Sequence, residues 1–279
     1  MEKNKERLEI IQKEKEYERL GKEFLNKDVE NDPPSKVLLP NDVDYLYKKI
    51  GNKFKRFIAV RMGNALRRDS KKKYKVTLTG LENIEGLSSP AIITGNHFAP
   101  LDSICETLIA RHINKHKKMY IVKKEGNFQM PGAYGFLFKY CDTLPLSSNV
   151  HTMQNFYKAL DEVFKKGHFV LIYPEQSMWW NYRKPRPHMV GASYIASKFN
   201  VPIVPCFVTM EDQEELDEFG FPLQKFTVHI LKPLYPDKNK SIKQNARELA
   251  DENYKMCVET YEKVYGKKIV YGEDDEESI

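Results

Sequence analysis

From residue 76 onward, short apolar runs alternate with segments of helical period, and this alternation restricts the possible folds more than any other property of the chain. Residues 76–78, 91–94, 119–122, 168–173, 203–208 and 226–231 read as strands; 103–116, 149–166 and 189–199 read as helices. The clearest helix places Phe156, Leu160, Val163 and Phe164 on one face, with Gly167 set to end it. Ser241 with Gln244 has the pattern of a capping box and opens a last helix that runs to Gly266. Strands alternating with helices predict an α/β fold, a central mixed sheet flanked by helices.

One junction in this series carries chemistry. The strand at 91–94 stops at Gly95, and the chain continues Asn96-His97-Phe98-Ala99-Pro100-Leu101-Asp102 before a helical period with Ile104, Leu108 and Ile109. A histidine on a strand-to-helix loop and an aspartate at a helix start, where a carboxylate is a good cap, can meet through one turn. Such an aspartate fixes the imidazole tautomer and stabilises the imidazolium once the ring takes a proton. No serine or cysteine nucleophile adjoins the pair, so its simplest task is general-base activation of a substrate hydroxyl. In open α/β sheets, sites gather at the carboxyl ends of strands. His97 follows the 91–94 strand and Glu175 follows the 168–173 strand.

The stretch from Asn96 to Asp102 resembles the Asn-His-x-x-x-x-Asp signature of the glycerolipid acyltransferases, the lysophosphatidate acyltransferase family. Further blocks follow in that family's order: Lys123-Lys124-Glu125 with Pro131-Gly132 and Gly135, then Tyr173-Pro174-Glu175, then Val201-Pro202-Ile203-Val204-Pro205. The resemblance spans residues 76–236. It implies a glycerol-3-phosphate acyltransferase-like domain in which His97 is the general base and Asp102 holds it. It further implies that Glu175 contacts the acceptor's polar head, whereas the residue alone also reads as a helix cap after Pro174. Asn96 is placed with the substrate-binding residues, as an orienter of the loop.

Two departures from the family pattern stand out. The third block continues Gln176-Ser177-Met178 where the family has Gly, Thr or Ser, and Arg, and the second block ends near Ser147 and Ser148 instead of an arginine. A lost charged hydrogen bond costs ~1.5–3 kcal/mol, enough to change acceptor preference. Arg183, Lys184 and Arg186 lie just downstream and have two readings: they hold the acceptor's phosphate in place of the missing arginines, or they form a solvated surface loop. Phe128, Met130, Tyr134, Phe136 and Phe138 likewise read either as an acyl groove or as ordinary core.

Outside residues 76–268, the expected acyltransferase domain, the chain is charged. Residues 1–40 begin with eight Lys or Arg and seven Glu in the first 27 positions, a solvated helix with a thin apolar stripe, and pass through the turn signal Asp32-Pro33-Pro34-Ser35. Residues 41–75 set twelve Lys or Arg against three Asp around an apolar stripe that includes Leu46, Ile50, Phe54, Phe57, Ile58 and Met62. A basic amphipathic region of this kind reads as membrane-surface helices on anionic lipid, each cation worth about 1 kcal/mol there. The competing reading docks the stripe on the domain's own core. Residues 269–279 form an acidic, disordered tail containing Glu273-Asp274-Asp275-Glu276-Glu277.

Several classes fall away. No run of 18 apolar residues occurs, and the Lys- and Glu-rich start is no signal peptide, so the expected location is cytoplasmic, peripheral on the inner face of the membrane. Cys105, Cys141, Cys206 and Cys257 lack C-x-x-C spacing, and His112 and His116 lack an acidic partner; no metal and no cofactor are expected. A net charge of +6 without a recognition motif argues against nucleic acid. No Gly-x-Ser-x-Gly elbow supports a hydrolase. The expected reaction is transfer of a fatty acyl group from acyl-CoA or acyl carrier protein to a lysophospholipid hydroxyl, foremost 1-acyl-sn-glycerol-3-phosphate giving phosphatidate. Transfer to a non-phosphate glycolipid or amino lipid, and an inactive membrane-surface protein, are the alternatives.

Overall fold

The computed structural model describes residues 2–30, 35–88 and 90–272. Asp32, Pro33, Pro34 and residues 273–279 of the acidic tail lie outside the described residues; 269–272, expected to be disordered with that tail, are instead docked, with Val270 O accepting from Lys184 and the Gly272 N–H donating to Glu18. Seven strands, β1 Thr77–Thr79, β2 Ile92–Thr94, β3 Met119–Lys123, β4 Thr143–Pro145, β5 Phe169–Leu171, β6 Ile203–Leu216 and β7 Pro222–Ile230, form one sheet in the order β1-β7-β6-β2-β5-β3-β4. β2, β3, β4, β5 and β6 run parallel; β7 is antiparallel to β6 and parallel to β1. The sheet is therefore mixed, as its alternation predicts.

The central strands are continuous apolar runs because both faces are covered. Side chains alternate across the sheet, so Ile93 joins one core layer with Val204, Val208 and Ile109, and Ile92 joins the other with Val170, Ile203 and Leu160. The first layer is closed by α3 Ile104–Asn114; the second by α6 Val150–Lys165 and α7 Gly191–Phe199. α8 Ile242–Tyr265 starts with Ser241 Oγ accepting from the Gln244 N–H and ends at Gly266, whose φ is 67°. Only half of the capping box forms, since the Gln244 amide turns to Glu248.

Three short elements carried no periodic signal: α4 Glu125–Phe128, α5 Gly132–Tyr140 and the three-residue edge strand β4. β6 outruns its expected end at 208 because its outer half is the polar run Glu211-Asp212-Gln213-Glu214-Glu215, invisible to an apolar template.

The first 30 residues differ most from expectation. α1 Glu2–Leu20 and the turn after it are docked, not solvated: Ile10, Leu25 and Val29 are buried against Trp179, Trp180 and Tyr182. The helix looks polar all round because its buried face contains Glu14 and Glu18. α2 Ile50–Lys73 divides its apolar residues. Ala59 and Gly63 face the body, and Arg56 bonds Asp142 at 2.6 and 2.7 Å, while Phe54, Phe57, Ile58 and Met62 stay exposed.

Candidate active site

His97 stands on the loop between β2 and α3, at the carboxyl edge of the sheet. Its Nδ1 lies 2.7 Å from Asp102 Oδ2. The same oxygen accepts from the backbone N–H of Phe98 at 2.9 Å and of Ala99 at 3.2 Å. Asp102 thus caps its own preceding turn and not α3, whose N-cap position is Ser103. A carboxylate accepting two backbone donors is fixed before the imidazole reaches it. Burial pushes the Asp102 carboxyl up, but the neighbouring imidazole and the hydrogen bonds from His97, Tyr173 and Phe98 outweigh it and hold Asp102 below the usual range. An ionised Asp102 takes the Nδ1 proton as acceptor, which leaves the lone pair on Nε2. No described residue hydrogen-bonds Nε2.

Behind the ring sits Tyr173, on the loop after β5. The two rings stack at 4.1 Å and 5°, and the Tyr173 hydroxyl donates to Asp102 Oδ1 at 2.6 Å. In the sequence Tyr173 stands only as part of the Tyr173-Pro174-Glu175 block, with no role of its own. No periodicity marks it, since its contacts span 71 residues.

Glu175 is an internal brace. It is 2% exposed, accepts from the His97 N–H at 3.2 Å and the Arg186 N–H at 2.9 Å, and pairs with Arg186 Nη2 at 2.8 Å. The competing cap reading fails because no helix starts there, and the expected contact with an acceptor head is replaced by these internal partners. Arg186 is equally buried. Its guanidinium also donates to Ser177 O, Ser177 Oγ, His97 O and Leu25 O, and it lies 4.8 Å from the Trp179 ring. This cation is therefore consumed by the loop and does not hold a phosphate. Lys184 is also corrected: its ammonium is fully buried, 2.5 Å from Glu18 on α1. Arg183 points to the β6–β7 ribbon, 2.6 Å from Asp212. The Asn96 amide holds β6 through both backbone groups of Val208, at 3.0 and 2.8 Å, and is not aimed at a substrate. The phosphate-grip reading of the 183–186 cluster thus fails for a common reason. Each cation finds an anion or carbonyl from a distant segment.

A different cation borders the site. Lys123 ends β3 at the same sheet edge, with Nζ 4.2 Å from the Phe138 ring. Burial lowers its pKa, and the negative charge of Asp102 partly offsets this, which places the ammonium within reach of that field. Among the described residues no carboxylate pairs with it. Ser148, where the family's second-block arginine was expected, donates to Glu125 at 3.2 Å. Of the five groups read as an acyl groove, Phe128 is buried against Leu38 and Val43, while Tyr134 is exposed, so these two do not share one surface.

Residues 75–209 match the family model described as Acyltransferase, a segment that holds His97, Asp102, Tyr173 and Glu175. Among solved structures, the crystal structure of the 1-acyl-sn-glycerophosphate (LPA) acyltransferase PlsC from Thermotoga maritima is similar in fold. Its TM-score is 0.53 at 19% identity, covering 81% of this chain and 87% of that one. No curated protein matches the sequence.

Proposed function

We propose that residues 75–209, which match the Acyltransferase family model, form a domain of the glycerolipid acyltransferase superfamily, and that a mechanism and a substrate class follow from it. The observation that carries the proposal is the 2.7 Å His97–Asp102 contact with Nε2 left unbonded at the sheet edge. An acceptor hydroxyl lies against Nε2. As its oxygen bonds the acyl carbon of a thioester, its proton passes to Nε2 and Asp102 offsets the imidazolium charge. The carbon–sulfur bond then breaks, and the thiolate takes the proton back from His97 as it leaves. The thioester is acyl-CoA or acyl carrier protein; no acyl-enzyme is needed. A positioned base contributes ~10²–10⁴-fold, and holding two substrates together supplies much of the rest.

The acceptor in this reading is 1-acyl-sn-glycerol-3-phosphate, and Lys123 is the cation that meets its phosphate. The exposed face of α2, with Ile50 84% and Phe54 66% accessible among basic neighbours, rests on an anionic membrane surface. No described helix is long and apolar enough to cross a membrane. A second reading, a non-phosphate acceptor, is favoured by one observation: Lys184 and Arg186 are committed internally and Arg183 is paired with Asp212 on the β6–β7 ribbon.

The test is acyl transfer from a labelled acyl thioester to lysophosphatidate in liposomes, wild type beside His97→Ala. Transfer by wild type, lost ~10²–10⁴-fold in a folded His97→Ala, is expected; undiminished transfer by the variant would remove His97 from the mechanism. Lys123→Met separates the acceptors. It raises KM for the phosphate acceptor if Lys123 meets the phosphate, and leaves it unchanged if the acceptor is neutral.

A further inference from the structure

Glu106 lies on α3 one turn past Asp102, is fully buried, and has no role in the mechanism above. Its carboxyl faces the end of β2 so closely that a Cβ on Gly95 would stand 2.2 Å from Oε1. A side chain at position 95 would have to displace this carboxyl.

Two contacts define its state. Glu106 Oε2 is 3.4 Å from the Tyr173 hydroxyl, and Oε1 is 3.8 Å from Cys206 Sγ. A phenol has one proton, and the Tyr173 proton is given to Asp102 Oδ1 at 2.6 Å. With that proton spent on Asp102, a Tyr173 donor could reach Glu106 at 3.4 Å only as the weak arm of a shared bond, whereas a Glu106 proton on Oε2 makes the contact a full hydrogen bond to the phenol oxygen. Oε1 is then the carbonyl oxygen, matched to the Cys206 thiol proton.

We propose that Glu106, as a neutral acid, and Tyr173 are positioning residues for His97: Glu106 donates to the Tyr173 oxygen, which commits the phenol proton to Asp102 and sets how much charge that carboxylate offers the imidazole. The inference rests on the reading of His97 as the base. The surroundings of Glu106 agree with it. Asp102 approaches from the loop, Cys105 from its own helix, Tyr173 from beyond β5 and Cys206 from β6, and none supplies a cation. Burial, and then the charge of Asp102, push the Glu106 carboxyl well above the usual range. Burial and the same carboxylate hold Tyr173 protonated. A carboxylic acid kept neutral so that it can donate is an established device of active sites. Near His97 itself Glu175 faces its backbone N–H and Arg186 its carbonyl, and Lys123 feels the charge of Asp102.

The sign follows from the donor. While Tyr173 draws charge to Oδ1, Asp102 attracts the imidazolium less. Tyr173→Phe keeps the stacked ring and removes the donor, so His97 holds its proton more tightly. The experiment is an NMR titration of His97 in histidine-labelled protein, the resonance identified by its loss in His97→Gln, together with the pH profile of transfer. In Tyr173→Phe the titration midpoint and the acid limb of kcat are expected to move up by about half to one pH unit. In Glu106→Gln they are expected to stay in place, because the amide nitrogen replaces the Oε2 donor and the amide oxygen still faces Cys206. An unmoved midpoint in Tyr173→Phe overturns the proposal. So does a shift in either direction in Glu106→Gln, a downward one marking an ionised Glu106. If Tyr173→Phe does not fold, Glu106→Gln alone decides. The titration needs no acyl transfer, so a failed transfer assay with the expected midpoints counts against the acyltransferase reading and not against this one.

Discussion

Asp102 and Glu175 are both acidic, both 2% exposed, and reach opposite sides of one histidine. Asp102 takes the ring nitrogen, and Glu175 takes the backbone N–H and passes its charge to Arg186. The first contact was legible in the sequence because it closes within five residues, inside a single turn. The second was not. Glu175 and Arg186 are separated by the aperiodic run from Gln176 to Pro185, and no local rule brings an arginine back across it. Arg186 bridges one carboxylate, one hydroxyl and three carbonyls from planar, fixed directions, which a lysine cannot imitate. Arg186→Lys is expected to lower stability by about 2–4 kcal/mol, as several buried charged hydrogen bonds are lost. Chemical denaturation measures this, and a loss under 1 kcal/mol, below about half the cost of one such bond, would show that the guanidinium does not hold the loop.

At the scale of elements, α1 shows how a docked helix escapes a hydrophobicity pattern. Its buried face carries Glu14 and Glu18 beside Ile10, so the stripe looks polar. Glu18 meets Lys184, but Glu14 is fully buried, and neither of its oxygens makes a well-formed hydrogen bond, the Trp180 N–H offering only a weak one. Burial holds its pKa well above the usual 4.5, against the pull of Arg186. Below the unfolded value both states keep the proton. As pH rises past it, the unfolded chain ionises and the folded one resists, so stability falls with pH. Glu14→Gln removes that dependence. Its melting temperature is expected to match wild type near pH ~4 and exceed it by about 2–4 °C near pH ~8. Calorimetry at both pH values checks this, and a variant less stable at the higher pH would mean that Glu14 is ionised and paired. The elements missed in sequence, α4, α5 and β4, are short, and short elements are made by packing more than by propensity.

The whole molecule sets an exposed apolar face on one side, that of α2. Phe54 and Phe57 are 66% and 56% accessible, and Arg61 lies 5.4 Å from the Phe57 ring. Replacing both phenylalanines by serine is expected to weaken binding to anionic vesicles by about tenfold or more, with turnover of a water-soluble short-chain thioester unchanged. Vesicle sedimentation with equal binding by variant and wild type would reject the membrane role of that face. The α/β class, six of the seven strands, the major helices and the His97–Asp102 pair are legible in the sequence. Each is written in spacings of two to five residues, the range over which backbone geometry alone places side chains. Packing alone set Tyr173 on His97, Glu106 behind it, Lys184 and Arg186 inward, and Arg183 against Asp212 on the β6–β7 ribbon. Those contacts depend on the order β6-β2-β5-β3, which sets as neighbours strands that lie far apart along the chain. A charge's partner is fixed by whichever segment the sheet brings beside it, and no local pattern records that choice.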